Sequence, residues 1–209
     1  MYTESEYLDI KDLILSAPAT FALVAVNIAV YIVLFLLFPG WFFSLDEEAI
    51  VLFGQVNYLV FSGWWYQLIT AMFVHFHIIH LLSNLVFLMI FGLRLEELRS
   101  SRTVLIVYIL AGLGGNLLSL IAGPLLISAG ASGAIFGIFG ANLMILRDSY
   151  REGAKTAIII GVFYFIISIG ANTNILSHFG GLIVGLVLGY LFSRNIRDKQ
   201  GKRRSGGYR

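Results

Sequence analysis

The stretch AGASGAIFG, residues 129–137, sets one hydroxyl, Ser132, between glycines where an apolar segment begins. The apolar segment then runs to Leu146 and stops at Arg147. As a helix, its fifteen or so residues rise roughly 22 Å, short of the hydrocarbon thickness of about 30 Å. Such a segment belongs in a membrane only if it starts below the surface, with residues 123–131 dipping in as irregular chain. Irregular backbone at that depth is tolerated where it is buried in protein or lines a wet cavity. The expected arrangement is therefore a water-accessible pocket with Ser132 at its floor.

The rest of the chain supports lipid as the solvent. Of 209 residues, 58% are hydrophobic and 12% charged, with a mean hydropathy of +0.87. Soluble domains carry about twice that share of charge. Six spans are expected, near residues 19–38, 68–93, 103–122, 132–146, 155–169 and 176–192. The first is too long for a cleavable signal sequence, and the residues before it are acidic (Glu4, Glu6, Asp9, Asp12). The fold class is thus an all-α, polytopic, six-helix membrane bundle. It divides into an N-terminal segment 1–18, an intramembrane domain 19–193 and a basic tail 194–209, expected to be disordered against anionic headgroups. There are no cysteines, which excludes disulfides and thiolate metal sites.

All 14 Lys and Arg fall before span one, between spans two and three, between four and five, or in the tail. The positive-inside rule then places both termini in the cytoplasm. Spans two, four and six consequently start in the outer leaflet, and those starts hold every unusual polar residue: HFHIIHLLSN (75–84), Ser132 and His178. Three stretches distant in sequence deliver His, Asn, Ser and His to one depth. Gly133 and Gly137 repeat at i, i+4, as do Gly181, Gly185 and Gly189. Small residues at that spacing let helices pack closely in lipid, which pairs spans four and six and brings Ser132 beside His178.

A serine hydroxyl becomes a useful nucleophile when a neighbouring base takes its proton, and His178 is the candidate base. No carboxylate stands on the outer half of spans four or six, so the arrangement is a dyad; Phe136, one turn after Ser132, is placed to stack on the imidazole. The backbone N–H of Ser132 at a helix start, with His80 and Asn84 sharing one face of span two, can donate to an oxyanion. The set suits amide hydrolysis within the membrane. Each residue alone has a plainer role: a Gly-flanked serine in helix packing, Asn84 bridging helices, and His178 in a polar contact. His75, His77 and His80 have the look of a metal cluster, yet no carboxylate or cysteine lies near to close it, so no metal and no other cofactor are expected. A small transporter or channel would place ionisable groups along a pore, whereas here the set formed by residues 75–84, Ser132 and His178 is confined to the outer half.

The order of these residues resembles the rhomboid intramembrane serine proteases. GASG (130–133) is similar to that family's GxSG motif, HFGG (178–181) to its last-helix motif, and HFHIIHLLSN to its HxxxN element. The resemblance implies Ser132 as nucleophile, His178 as base and His80 and Asn84 in the oxyanion hole. His75, Phe136, Gly130, Gly133, Gly181 and Gly185 take supporting roles, and Glu96 of FGLRLEELRS a structural one. Gln67 of GWWYQLIT departs from the pattern, standing where an arginine is usual. An inactive rhomboid-like binder of transmembrane helices is the alternative within that family.

The first outer loop, 39–65, is rich in aromatic residues and lacks basic ones, which suits the membrane interface. Residues 170–177 are expected to cap the cavity, and span five, with Phe163 and Phe165, to flank a lateral entrance. The expected partners are transmembrane protein substrates and membrane lipids, with no nucleic acid. The six-span form resembles prokaryotic members and implies a cell (plasma or inner) membrane, with the active site open to the extracytoplasmic side.

Overall fold

The computed structural model describes residues 10–149, 151–168 and 174–205. Among the described residues the α-helices are, in chain order, α1 (Ile10–Ser16), α2 (Pro18–Leu37), α3 (Glu47–Phe53), α4 (Asn57–Phe61), α5 (Gln67–Thr70), α6 (Ile78–Leu98), α7 (Ser101–Ser119), α8 (Ser132–Ser149), α9 (Arg151–Ser168) and α10 (Ile175–Ser205). Among the described residues, four stretches are long and apolar enough to cross a membrane: Pro18–Leu37, Ile78–Leu98, Ser101–Ala122 and Ile175–Ser193. Ser132–Arg147 and Lys155–Ser168 are shorter apolar helices.

Three differences from the sequence expectation stand out. Span two does not start near residue 68. Residues 67–70 form the separate α5, and α6 begins at Ile78, where His77 takes extended backbone and its Nδ1 accepts the His80 N–H at 3.1 Å. Capping of this kind satisfies one of the four N–H groups a helix start leaves unpaired. Second, the fold is mostly but not wholly helical: Gln55–Val56 (β1) pairs antiparallel with Ile127–Ser128 (β2). Two irregular segments lying side by side satisfy each other's backbone groups in this way. Third, α10 runs on through Ser205, so residues 194–205 continue a helix where the sequence suggests a disordered tail. The expected cavity cap at 170–177 falls largely outside the described residues, which resume at Asn174.

The centre of the bundle is α8, packed between α7 and α10. A Cβ at Gly181 would lie 1.9 Å from Gly133 O, and one at Gly185 would lie 2.0 Å from Gly137 O. Backbone therefore rests on backbone along the α8–α10 seam. On the other flank a Cβ at Gly137 would meet the Ala111 Cβ of α7 at 2.0 Å. Ala111, Ile135, Ile138, Val107 and Leu95 fill the interior.

Polar groups lock the helices at chosen points. Glu96, near the end of α6, accepts from Ala19 N and Thr20 N at 2.9 Å each and from Thr20 Oγ1 at 2.6 Å, so its carboxylate caps α2. This gives the structural role implied for Glu96 a physical form. Gln67 is fully buried; its Nε2 donates to Val51 O at 2.7 Å and its Oε1 accepts from Val56 N at 2.9 Å. The neutral amide thus anchors the loop after α2 where an arginine was expected. Further along, Asn57 Nδ2 donates to Ser119 O and Gly123 O, tying that loop to the end of α7. Trp41, Phe42 and Phe43 project from the loop, Trp41 at 88% exposure, while Tyr31 of α2 donates to the Phe43 carbonyl beneath them.

Candidate active site

Ser132 is the first residue of α8, and the chain reaches it through a tight corner. Gly130 has φ +132°, and a Cβ there would sit 2.8 Å from the His80 ring. Only glycine meets both demands, the positive φ and the close approach. The Gly130 N–H donates to Ala71 O at 2.9 Å, which pins the corner to the segment before α6.

His178 lies one turn into α10. Asn174 precedes that helix and caps it, its Oδ1 accepting from Ser177 N at 3.0 Å. The backbone seam of α8 and α10 then brings His178 to Ser132, with Nε2 and Oγ 2.8 Å apart. His178 is buried and Ser132 half-buried. Phe136 holds the imidazole from the side, with ring centroids 4.6 Å apart. Among the described residues Nδ1 of His178 meets no hydrogen-bond partner.

From α6 come His80 and Asn84. The His80 ring lies against Gly130, stacked on Phe76 and edge-on to His75, with centroids 6.0 and 5.1 Å away. Asn84 is buried and spends one amide N–H on His80 O at 2.8 Å. His75 is fully buried and faces Ala131, whose N–H lies 3.4 Å from its Nε2. The three histidines before Asn84 thus have separate occupations, His77 as a cap, His75 against the corner and His80 over Gly130. Among the described residues no group of three His, Cys, Asp or Glu is arranged to hold a metal ion.

A cavity of about 570 Å³ opens over these groups, and its lining includes His80, Asn84, Ser132 and His178. Gly133, Gly181 and Gly185 do not line it; they set the helix spacing beneath. Asn116 and Ser177 also line the cavity and hydrogen-bond each other at 3.3 Å. Tyr164 of α9 is there too, with its OH 3.2 Å from Asn84 Oδ1 and its ring stacked on Phe136 at 4.8 Å. Sequence reasoning passed over Tyr164, because one aromatic residue among many in an apolar helix carries no signal. It singled out Phe163 and Phe165 instead, which flank Tyr164 and are 58% and 37% exposed.

A serine and a histidine within hydrogen-bond distance at a helix start share a cavity with a second imidazole and an amide, a set of groups with the chemistry of a nucleophile, a base and hydrogen-bond donors. Residues 62–195 match the Rhomboid domain family. A Bacillus subtilis rhomboid protein, YdcA, is 33% identical over 160 residues, covering 72% of this chain and 80% of its own length. Rhomboid-like protease 3 of Toxoplasma gondii is 34% identical over 140 residues, 63% of this chain and 53% of that protein. RHOMBOID-like protein 6, mitochondrial, of Arabidopsis thaliana is 37% identical over 131 residues, 60% of this chain and 43% of that protein. The chain belongs to the rhomboid family and is a multi-pass membrane protein. It spans about half the length of the Toxoplasma and Arabidopsis relatives it matches.

Proposed function

We propose that this protein is an intramembrane serine endopeptidase that cuts transmembrane helices of other membrane proteins near their extracytoplasmic ends. The observation that carries the proposal is the 2.8 Å separation of His178 Nε2 and Ser132 Oγ at the wall of a cavity. His178 takes the Ser132 proton as Oγ attacks the peptide carbonyl carbon. The carbonyl oxygen becomes an oxyanion, met by donors from the Ser132 N–H, His80 and Asn84, each worth a few kcal/mol in the transition state. The tetrahedral centre collapses, the peptide C–N bond breaks, and His178 passes its proton to the leaving nitrogen. Water then attacks the resulting ester, giving one proton to His178; collapse returns that proton to Ser132 Oγ and frees the new carboxylic acid, which loses its own proton to water.

Residues 19–193 form the protease domain, with α8 and α9 serving as two further spans beside the four long ones. Both termini lie in the cytoplasm and the cavity opens to the other side of a cell membrane. The exposed Trp41, Phe42 and Phe43 rest in the interface, where aromatic rings are at home. A substrate helix enters laterally past α9, beside Phe163 and Phe165. Its own hydrogen bonds shield every peptide carbonyl, so spans with small or helix-destabilising residues near the cut are preferred.

The test is cleavage of a single-span membrane protein by the parent, Ser132→Ala and His178→Ala forms in proteoliposomes. The expected result is product from the parent alone. Undiminished product from either variant would defeat the dyad, and no product from the parent would favour an inactive binder of transmembrane helices.

A further inference from the structure

We infer that Tyr164 is a positioning residue, holding the Asn84 amide in the orientation that points a donor at the oxyanion; the inference rests on the protease reading above. Asn84 carries one acceptor oxygen and two N–H donors. One donor is taken by His80 O at 2.8 Å, and the oxygen is taken by the Tyr164 hydroxyl at 3.2 Å. With both fixed, the second N–H is left for the cavity that Asn84 lines. A flipped amide would set its nitrogen against the hydroxyl and its oxygen against the His80 carbonyl. That carbonyl offers no hydrogen to bond, so the flipped form loses a buried hydrogen bond. No other side chain is recorded donating to Asn84 Oδ1 among the described residues.

Tyr164 is itself held without freedom. It is 2% exposed, with its ring 4.0 Å from Phe87 of α6 and 4.8 Å from Phe136 of α8. Phe136 in turn lies against His178 at 4.6 Å. One α9 side chain therefore touches both halves of the site, Asn84 through its hydroxyl and the His178 ring through Phe136. Phe163 and Phe165 on either side of it are substantially exposed, while Tyr164 turns inward from α9 onto Phe87 and Asn84 of α6. The oxyanion side chain is oriented only while α9 is docked, which couples the helix flanking the proposed entrance to the chemistry.

The experiment uses the full chain in detergent and a fluorophosphonate probe, whose phosphoryl oxygen occupies the oxyanion position. Tyr164→Phe removes the hydroxyl and keeps the ring stack, so the fold is retained and a melting curve checks it. One net hydrogen bond corresponds to a fivefold to tenfold change, about that much in the maximal inactivation rate. The expected result is that loss in the parent background with the half-saturating probe concentration unchanged, and less than a twofold change in the Asn84→Ala background. An equal loss in both backgrounds, or none in the parent, overturns the inference and leaves the dyad standing. Failure of the parent itself to react at Ser132 would remove the protease reading and this inference with it.

Discussion

The contact between α8 and α10 has no slack at Gly181, and an added methyl there should disable the site from a distance. Gly181→Ala would put Cβ 1.9 Å from the Gly133 carbonyl oxygen. Carbon and oxygen in such contacts ordinarily stand about 3.3–3.6 Å apart, so the two backbones must separate by more than about 1 Å. No side-chain rotation relieves this, because the obstacle is main chain. His178 is three residues earlier on the same helix and Ser132 adjoins Gly133, so the 2.8 Å contact between them opens by a similar amount. A misplacement of about 1 Å costs on the order of 100-fold in rate, equivalent to about 2.7 kcal/mol. Overpacking adds about 1–3 kcal/mol of destabilisation. The assay is kcat/KM for a single-span substrate in proteoliposomes, alongside thermal melting, with Ile183→Ala as control. Ile183 is 43% exposed on the same helix, and trimming it should leave both readings near the parent's. A Gly181→Ala enzyme within twofold of the parent would refute the claim that this seam sets the dyad distance.

Two predictions concern the scaffold. Glu96→Gln replaces a carboxylate that accepts from two backbone N–H groups and the Thr20 hydroxyl, all in the first turn of α2. It should lower stability by about 2 kcal/mol in denaturant titration, while turnover per folded molecule holds. Gln67→Ala frees Val51 O and Val56 N, and should expose residues 47–56 to limited proteolysis in detergent several times faster than in the parent. Unchanged cutting there would show that the Asn57 bonds to Ser119 and Gly123 suffice to anchor the loop.

What could be read from the residues alone was whatever contrasts with an apolar background. In a chain with four histidines and long greasy runs, Ser132, His178, His80 and Asn84 stand out because polar groups are costly in lipid, and the structure brings all four to one cavity. The i, i+4 glycines point equally to a close helix seam. Composition could not locate the start of α6, since residues 68–74 are as apolar as the helix proper and the break depends on His77 capping His80. Pairing of Gln55 with Ser128 joins segments 73 residues apart in the chain, and no local pattern announces it. Gln67 was read as a departure from a motif, yet its two amide atoms satisfy a carbonyl and an N–H of the same loop. Tyr164 was hidden for the opposite reason: an aromatic residue between two phenylalanines gives no hint which of the three turns inward.

The central claim is that His178 activates Ser132, and mapping the site of phosphonylation tests it most directly. After reaction with a fluorophosphonate, mass spectrometry of the peptides should find the adduct on Ser132 in the parent and none in the folded His178→Ala variant. An adduct on another residue, or undiminished labelling of Ser132 without the imidazole, would contradict the account.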